Sequence, residues 1–324
     1  MLFQFDDYFQ APTERPLLSQ HEIQALVMHL SRGTEILAIE PLSGGFRNQN
    51  YRIEHPQGQA VLRVASETQS ALKELNLMQR LSQFLPVPKV LAERQTSAHV
   101  FALLEFIEGQ RADTLPHNLS EASLLSLGAA IGATLAKIHQ IQFPATGFLD
   151  SELKIPDPLT HLGDSWLAYM REVLHGKRAE QRLGRETCQE SLQMLNRNEY
   201  LLRDLEPVQR LVHSDFNLKN LLVREKDGYW QVRAVLDWEF AHSGSPLVDF
   251  GNFFRFEKEL PQALFEGFLH AYQELNGPLG PLWRKQAKLL DLTSMCNFLD
   301  APEERPITLK TVRKIFAETL ESLA

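Results

Sequence analysis

Residues 211–240 read LVHSDFNLKNLLVREKDGYWQVRAVLDWEF, and three side chains in that stretch could do chemistry together. A short apolar run ends at His213-Ser214-Asp215, and Asn220 follows Asp215 by five positions. Two further runs, LLV and WQVRAVL, flank Glu225-Lys226-Asp227-Gly228, a turn-rich connection that reads as a hairpin. The second run ends at Asp237-Trp238-Glu239. Asp215, Asn220 and Asp237 are therefore expected to converge at one end of a small hairpin. The set suits phosphoryl transfer. An attacking hydroxyl needs a carboxylate within hydrogen-bond reach to orient it and take its proton. Mg²⁺ takes oxygen ligands, and an amide with a carboxylate leaves room for phosphate oxygens and water.

The elements that would position these groups change character along the chain of 324 residues. Residues 19–31 (SQHEIQALVMHLS) open with Ser19 and place apolar residues at helical spacing, which predicts a capped helix. The runs TEILAIEPL, QNYRIE and AVLRV read as strands, the first two joined by the flexible loop 43–48. ETQSALKELNLMQRL then has helix periodicity, and KVLAE and HVFALLEFI read as two more strands before Gly109. Residues 120–140 and 160–205 are helical, and helix signals resume from Asp249 after the hairpin island. The pattern predicts an α+β fold of two lobes with a cleft between them. A small β-sheet N-lobe would cover residues 1–108 and a larger, mostly helical C-lobe residues 109–324.

The spacing of Asp215 and Asn220 is that of the catalytic Asp and metal-binding Asn of kinases. With the hairpin and DWE, the island resembles the aminoglycoside phosphotransferase family, relatives of choline kinases with a protein-kinase-like fold. The resemblance implies that Asp215 is the catalytic base, that Asn220 and Asp237 hold Mg²⁺, and that His213 shapes the loop. Glu239 matches the family's DWE without a role of its own. Ser43, Gly44 and Gly45 with Asn48 resemble the family's phosphate loop, where glycine lets backbone N–H groups approach closely. Arg63 in AVLRV stands where protein kinases carry a phosphate-pairing Lys, with Glu74 as its helix partner and Glu67 the alternative. The adenine is expected at the Glu105 carbonyl and the Ile107 N–H. The function implied is transfer of the γ-phosphate of ATP or GTP, with Mg²⁺, to a hydroxyl of a small molecule. Aminoglycosides, choline- or ethanolamine-like amino alcohols and sugars all fit as acceptor. The alternative is a catalytically inactive nucleotide-binding protein on the same fold, favoured by Arg63 in place of Lys.

Lys+Arg total 33 against Asp+Glu 41, a net charge of −8 that is compatible with a cationic acceptor and opposes a nucleic-acid partner. Two distant cysteines, Cys188 and Cys296, give neither a disulfide framework nor a thiolate zinc site. The N-terminus lacks a basic region followed by an apolar run, and the apolar stretch 124–138 is shorter than the roughly 18–20 residues of a membrane span. A cytoplasmic protein with no membrane partner is expected; nothing in the sequence sets an oligomeric state. Neither GxxxxGK[ST] nor GxSxG occurs, so a P-loop NTPase is not supported and a serine hydrolase is left without a nucleophile elbow. Asp249-Phe250-Gly251 and Ala301-Pro302-Glu303 spell protein-kinase signposts out of place. Asp249 reads as an N-cap, although in the resembling family an Asp there braces the catalytic loop. His139 reads as a packed or capping histidine, Lys219 as an exposed loop lysine, and Trp166, Tyr169, Trp283 and Phe298 as core. Asp157, Asp164, Asp291 and Asp300 are acidic candidates for the acceptor pocket.

Overall fold

The computed structural model describes residues 1–10, 18–30, 35–42, 48–203, 205 and 208–323. The N-terminal half begins with helix α1 (Gln20–Leu30) and strands β1 (Ala38–Leu42), β2 (Gln49–His55) and β3 (Gly58–Ala65). Helix α2 (Thr68–Leu81), β4 (Val90–Gln95) and β5 (Val100–Glu105) follow, then β6 (Gln110–Arg111), α3 (Glu121–Ile138) and β7 (Gly147–Phe148). Four helices come next: α4 (Leu162–His175), α5 (Lys177–Leu183), α6 (Arg185–Asn198) and α7 (Tyr200–Arg203). The island supplies β8 (Arg210–Val212), β9 (Leu221–Lys226), β10 (Tyr229–Val235) and β11 (His242–Gly244). Helices α8 (Leu247–Phe254), α9 (Gln262–Asn276), α10 (Trp283–Asp300) and α11 (Pro306–Ser322) complete the chain.

The two-lobed α+β expectation holds. An antiparallel sheet of order β1-β2-β3-β5-β4 forms the small lobe. Strand alternation sorts its two faces. Ile53, Leu62, Val64 and Leu103 pack with Ile23 and Val27 of α1 on one side, so Arg63 points the other way, toward α2. Helix α1 carries the expected cap: Ser19 Oγ accepts from the Glu22 N–H at 3.3 Å, and Glu22 accepts from the Ser19 N–H at 2.8 Å. The first ten residues do not join this sheet: Phe3, Phe5, Tyr8 and Phe9 gather around Phe256.

The helical lobe is built on α3 and α9, which lie backbone to backbone. A Cβ on Gly128 or Gly132 of α3 would overlap the carbonyl oxygen of Leu264 or Phe268, and one on Gly267 that of Leu125. Helix α3 is long and apolar enough to cross a membrane by length and composition, but Leu127, Ile131 and Leu135 are fully buried in the core. The hairpin β9–β10 turns at Asp227 (φ 54°) and Gly228 (φ 82°), a two-residue connection between paired Lys226 and Tyr229. A second small sheet of order β7-β11-β8 places the end of β8 beside His242.

Candidate active site

Strand β8 ends in a loop whose backbone is held by a carboxylate far along the chain. Asp249, fully buried, accepts from the His213 N–H at 2.8 Å through Oδ2 and from the Ser214 N–H at 2.7 Å through Oδ1. It is the third residue of α8, whose N-cap position is Pro246, so the N-cap expectation does not hold, whereas the bonds to the His213 and Ser214 N–H groups fit the brace that the resemblance implied. Burial works against its charge, but the His139 and His213 contacts outweigh that and hold the carboxyl below the usual range. His139, at the C-terminal end of α3, donates from Nε2 to Asp249 Oδ2 at 3.0 Å, with Nδ1 2.9 Å from the Tyr272 hydroxyl. The histidine is thus capping and packed, as expected, and it also anchors the brace.

His213 closes the loop from inside. Its Nε2 donates to the Leu236 carbonyl at 2.9 Å and its Nδ1 accepts from the Asp215 N–H at 3.2 Å, so the neutral ring satisfies both nitrogens. Burial lowers its pKa accordingly. Ser214, between them, adopts a left-handed backbone (φ 69°), a conformation that costs a non-glycine residue of the order of 1 kcal/mol or more.

Both oxygens of Asp215 are fixed by amides: Oδ1 accepts from Asn217 Nδ2 and Oδ2 from Asn220 Nδ2, each at 2.8 Å. Asn220 Nδ2 also donates to the Asp215 backbone carbonyl at 2.9 Å, and the Asn220 backbone carbonyl accepts from the Leu236 N–H at 2.8 Å. Asp237 follows at the end of β10, also left-handed (φ 67°). Burial and the charge of Asp237 push the Asp215 carboxyl up to about 7, against Arg255, Asn220 and Lys219, which pull it down. Because the Asn220 amide nitrogen is committed to Asp215, its Oδ1 is the atom left for a cation. That oxygen with the Asp237 carboxylate forms a hard-donor set suited to Mg²⁺. Among the described residues no three or more His, Cys, Asp or Glu gather as an all-protein metal site, so a cation held here would take the rest of its ligands from phosphate oxygens and water.

The sheet lobe meets this loop through Arg63. Its Nη1 pairs with Glu74, its Nε donates to Asn50 Oδ1 at 3.1 Å, and Nη1 stands 4.0 Å from Asp237 Oδ1. Burial alone would favour loss of the proton, but Glu74 and Asp237 hold it more firmly than usual. Glu74 Oε1 also accepts the Trp238 N–H at 3.1 Å, and Lys73 donates to the Ala241 carbonyl at 3.2 Å. Helix α2 is thereby tied to the segment after Asp237, a link that no sequence pattern announces.

Of the residues expected at the site, the structure gathers Asp215, Asn220, Asp237, Arg63 and Glu74. Glu67, the alternative partner for Arg63, sits at the N-cap position of α2. Asn48 lines a small cleft with Glu74 and Glu239, while Ser43, Gly44 and Gly45 lie outside the described residues. Glu105 ends β5, paired across to Ala60, and Ile107 is half-buried just beyond it. Lys219 corrects its expectation: it is buried, at 9% exposure, on the turn Leu218–Asn220. Three of the acidic candidates are engaged by arginines, Asp164 by Arg203, Asp291 by Arg255 and Asp300 by Arg178. Trp166, Tyr169, Trp283 and Phe298 are packed against the core. Ala301 and Glu303 of the out-of-place signpost offer carbonyls to Arg182, a structural role.

A family model described as the phosphotransferase enzyme family (APH) matches residues 38–286. Acyl-CoA dehydrogenase family member 10 from Mus musculus is 29% identical over 220 residues, which are 63% of this chain but 19% of that protein. The chain thus spans about a fifth of that relative's length. A probable ketoamine kinase from Enterococcus faecium is 24% identical over 283 residues, 84% of this chain and 91% of that protein. Among solved structures, a thermostable mutant of aminoglycoside phosphotransferase APH(4)-Ia, in ternary complex with AMP-PNP and hygromycin B, superposes with a TM-score of 0.71. It is 18% identical, and the match covers 93% of this chain and 98% of that one. The fold is the protein-kinase-like one.

Proposed function

The chain belongs to the phosphotransferase enzyme family, and from that premise we propose that it transfers the γ-phosphate of ATP, with Mg²⁺, to a hydroxyl of a small molecule. The observation that carries the proposal is Asp215, its two oxygens fixed by Asn217 and Asn220, within reach of the charge of Asp237, which itself stands 4.0 Å from Arg63. Asp215 orients the acceptor hydroxyl and takes its proton as the oxygen bonds to phosphorus. A carboxylate held by two amides has a lone pair fixed in place to accept that proton. Asn220 and Asp237 are the residues to hold Mg²⁺, which when bound neutralises charge on the phosphate oxygens. Arg63 supplies a second fixed cation for the phosphates, and the Glu105 and Ile107 backbone is the proposed partner of the adenine. The role of Asp215 is positioning and proton acceptance, since phosphoryl transfer asks little covalent chemistry of the protein.

One relative is named a probable ketoamine kinase and one structural neighbour is held with hygromycin B, and the acceptor here is proposed within that span of polyols and amino alcohols. The inactive alternative rests on Arg63 replacing Lys. The Glu74 pair and the approach to Asp237 argue against it, because Arg63 keeps a fixed cation beside the proposed metal ligand. Two buried free thiols, Cys188 and Cys296, accord with the reducing cytoplasm proposed as location.

The test is thermal unfolding with Mg·AMP-PNP, followed by ³²P transfer from ATP to hygromycin B, a ketoamine and choline. Ligand at about 100 Kd adds roughly 2.7 kcal/mol. Wild type and Asp215→Asn should both gain, Asp237→Asn should not, and only wild type should label an acceptor. No gain with ATP or GTP would remove the nucleotide cleft and the proposal with it.

A further inference from the structure

His242 is buried, at 2% exposure, and the reaction described above does not use it. It begins β11, the strand that follows the Asp237 turn, and it pairs in register with Val212, the last residue of β8 before the catalytic loop. Its Nδ1 is 2.8 Å from Ser214 Oγ and 3.4 Å from the Phe240 carbonyl. A carbonyl can only accept, so the nitrogen facing both oxygens carries the proton. The other nitrogen agrees. Nε2 is buried with no hydrogen-bond partner among the described residues, close against Gly244, where an added Cβ would stand 2.9 Å away. A bare lone pair there avoids burying an unpaired N–H. The ring is wedged between Phe148 (5.7 Å between centroids) and Trp166 (6.2 Å), so it has little freedom to turn.

What it holds is the strained residue of the site. Ser214 precedes Asp215 with φ 69°, and nothing in a serine side chain favours that conformation without partners. Its N–H is taken by Asp249 and its Oγ by His242, so its peptide plane and its side chain are fixed from opposite elements. The direction of the Asp215 side chain follows from those backbone angles.

We infer that His242 is a positioning residue for the phosphotransfer reaction: its Nδ1–H, donated to Ser214 Oγ, locks the left-handed serine that aims Asp215 at the acceptor hydroxyl. The inference rests on Asp215 being the base. Burial, with Asp249 raising and Lys73 lowering the ring's affinity for a proton, keeps His242 neutral, pushed down to about 4. The donor is therefore the same near neutral pH.

Two readouts test this on the full chain. Histidine ¹⁵N NMR of wild type should show His242 protonated on Nδ1 and bare on Nε2; the opposite tautomer overturns the inference without reference to activity. Kinetically, Mg·ATP hydrolysis with water as acceptor is compared for wild type, His242→Phe, His242→Asn and Asp215→Asn. The Phe variant should lose at least about tenfold in kcat, since small misplacements of a reacting group cost up to about 100-fold, with KM for Mg·ATP unchanged. The Asn variant, which returns a donor near the Nδ1 position, should recover most of that loss. If Asp215→Asn abolishes hydrolysis while His242→Phe keeps full kcat, the positioning role falls and the base stands. If Asp215→Asn hydrolyses ATP as fast as wild type, Asp215 is not the base and this inference falls with it.

Discussion

Replacing Asp249 by Asn changes one atom and tests whether the catalytic loop is held by charge. The carboxylate accepts three hydrogen bonds, from His139 and His213 at Oδ2 and from Ser214 at Oδ1. An asparagine has one accepting oxygen, so its amide must face at least one N–H. The less costly orientation keeps the oxygen at the Oδ2 position and sets the NH₂ against the Ser214 N–H. That leaves a buried donor unpaired, at about 1–3 kcal/mol, and reduces two charge-assisted bonds to neutral ones, at about 1 kcal/mol more. A total near 3 kcal/mol corresponds to a drop of roughly 4–5 °C in a chain of this size. The Ser214 peptide loses its anchor, and kcat should fall by about 100-fold as Asp215 is misaimed. Mg·AMP-PNP affinity should change little, because neither Asn220 nor Asp237 bonds to Asp249. Calorimetry and ADP release measure the two effects. An Asp249→Asn protein with wild-type melting temperature and turnover refutes the brace. One that loses Mg²⁺ while Asp237→Asn keeps it would mean that the metal ligand has been assigned to the wrong aspartate.

Three further outcomes are expected. His242 titrates near 6.5 when unfolded and near 4 when folded; between those values the unfolded chain binds a proton that the folded one does not, so stability falls as pH drops from about 6.5 to 4, by up to about 3 kcal/mol. Urea midpoints at pH 7 and 4.5 should show a smaller fall for His242→Asn than for wild type, and equal falls would count against a neutral buried ring. Gly132→Ala should destabilise by about 3 kcal/mol or more, because its Cβ meets the Phe268 backbone rather than a movable side chain, while Gly280→Ala, with open space around it, stays within about 0.5 kcal/mol; similar midpoints for the two would disprove the close α3–α9 contact. Arg63→Lys keeps the charge but cannot reproduce the fork that serves Glu74 and Asn50 together, so Mg·AMP-PNP should bind about tenfold more weakly by titration calorimetry, a loss near 1.4 kcal/mol; an unchanged Kd would show that a point charge suffices.

The parts of the site that could be read from the sequence are those joined by short stretches of chain. Asp215 and Asn220 share one loop, and the two-residue turn at Asp227-Gly228 fixes the register that returns Asp237 beside them. Arg63 is marked by its place in AVLRV, where protein kinases carry a Lys, and strand alternation sends it to the face opposite Leu62 and Val64. What could not be read is what holds these groups still. Asp249 looks like an N-cap to local rules, which see an acid before an apolar run after Gly-Ser-Pro; only the family resemblance pointed to the brace, and its carboxylate is spent on peptides 35 and 36 positions earlier. Lys219 looks exposed because lysines in loops are, yet the turn that sets Asn220 also buries its neighbour. His242 and the Glu74–Trp238 contact carry no pattern, since their partners are brought near only by β11 pairing with β8 and by α2 docking across the cleft. The division has a physical cause. Groups that touch phosphate or hydroxyl must be few, polar and set at fixed spacing, so they leave a motif. Groups that hold a strained loop need only be buried acceptors or donors at the right point in space, and any distant element can supply them. Ser214 joins the two classes: it lies inside the motif, and its left-handed backbone is maintained by Asp249 and His242 from outside it.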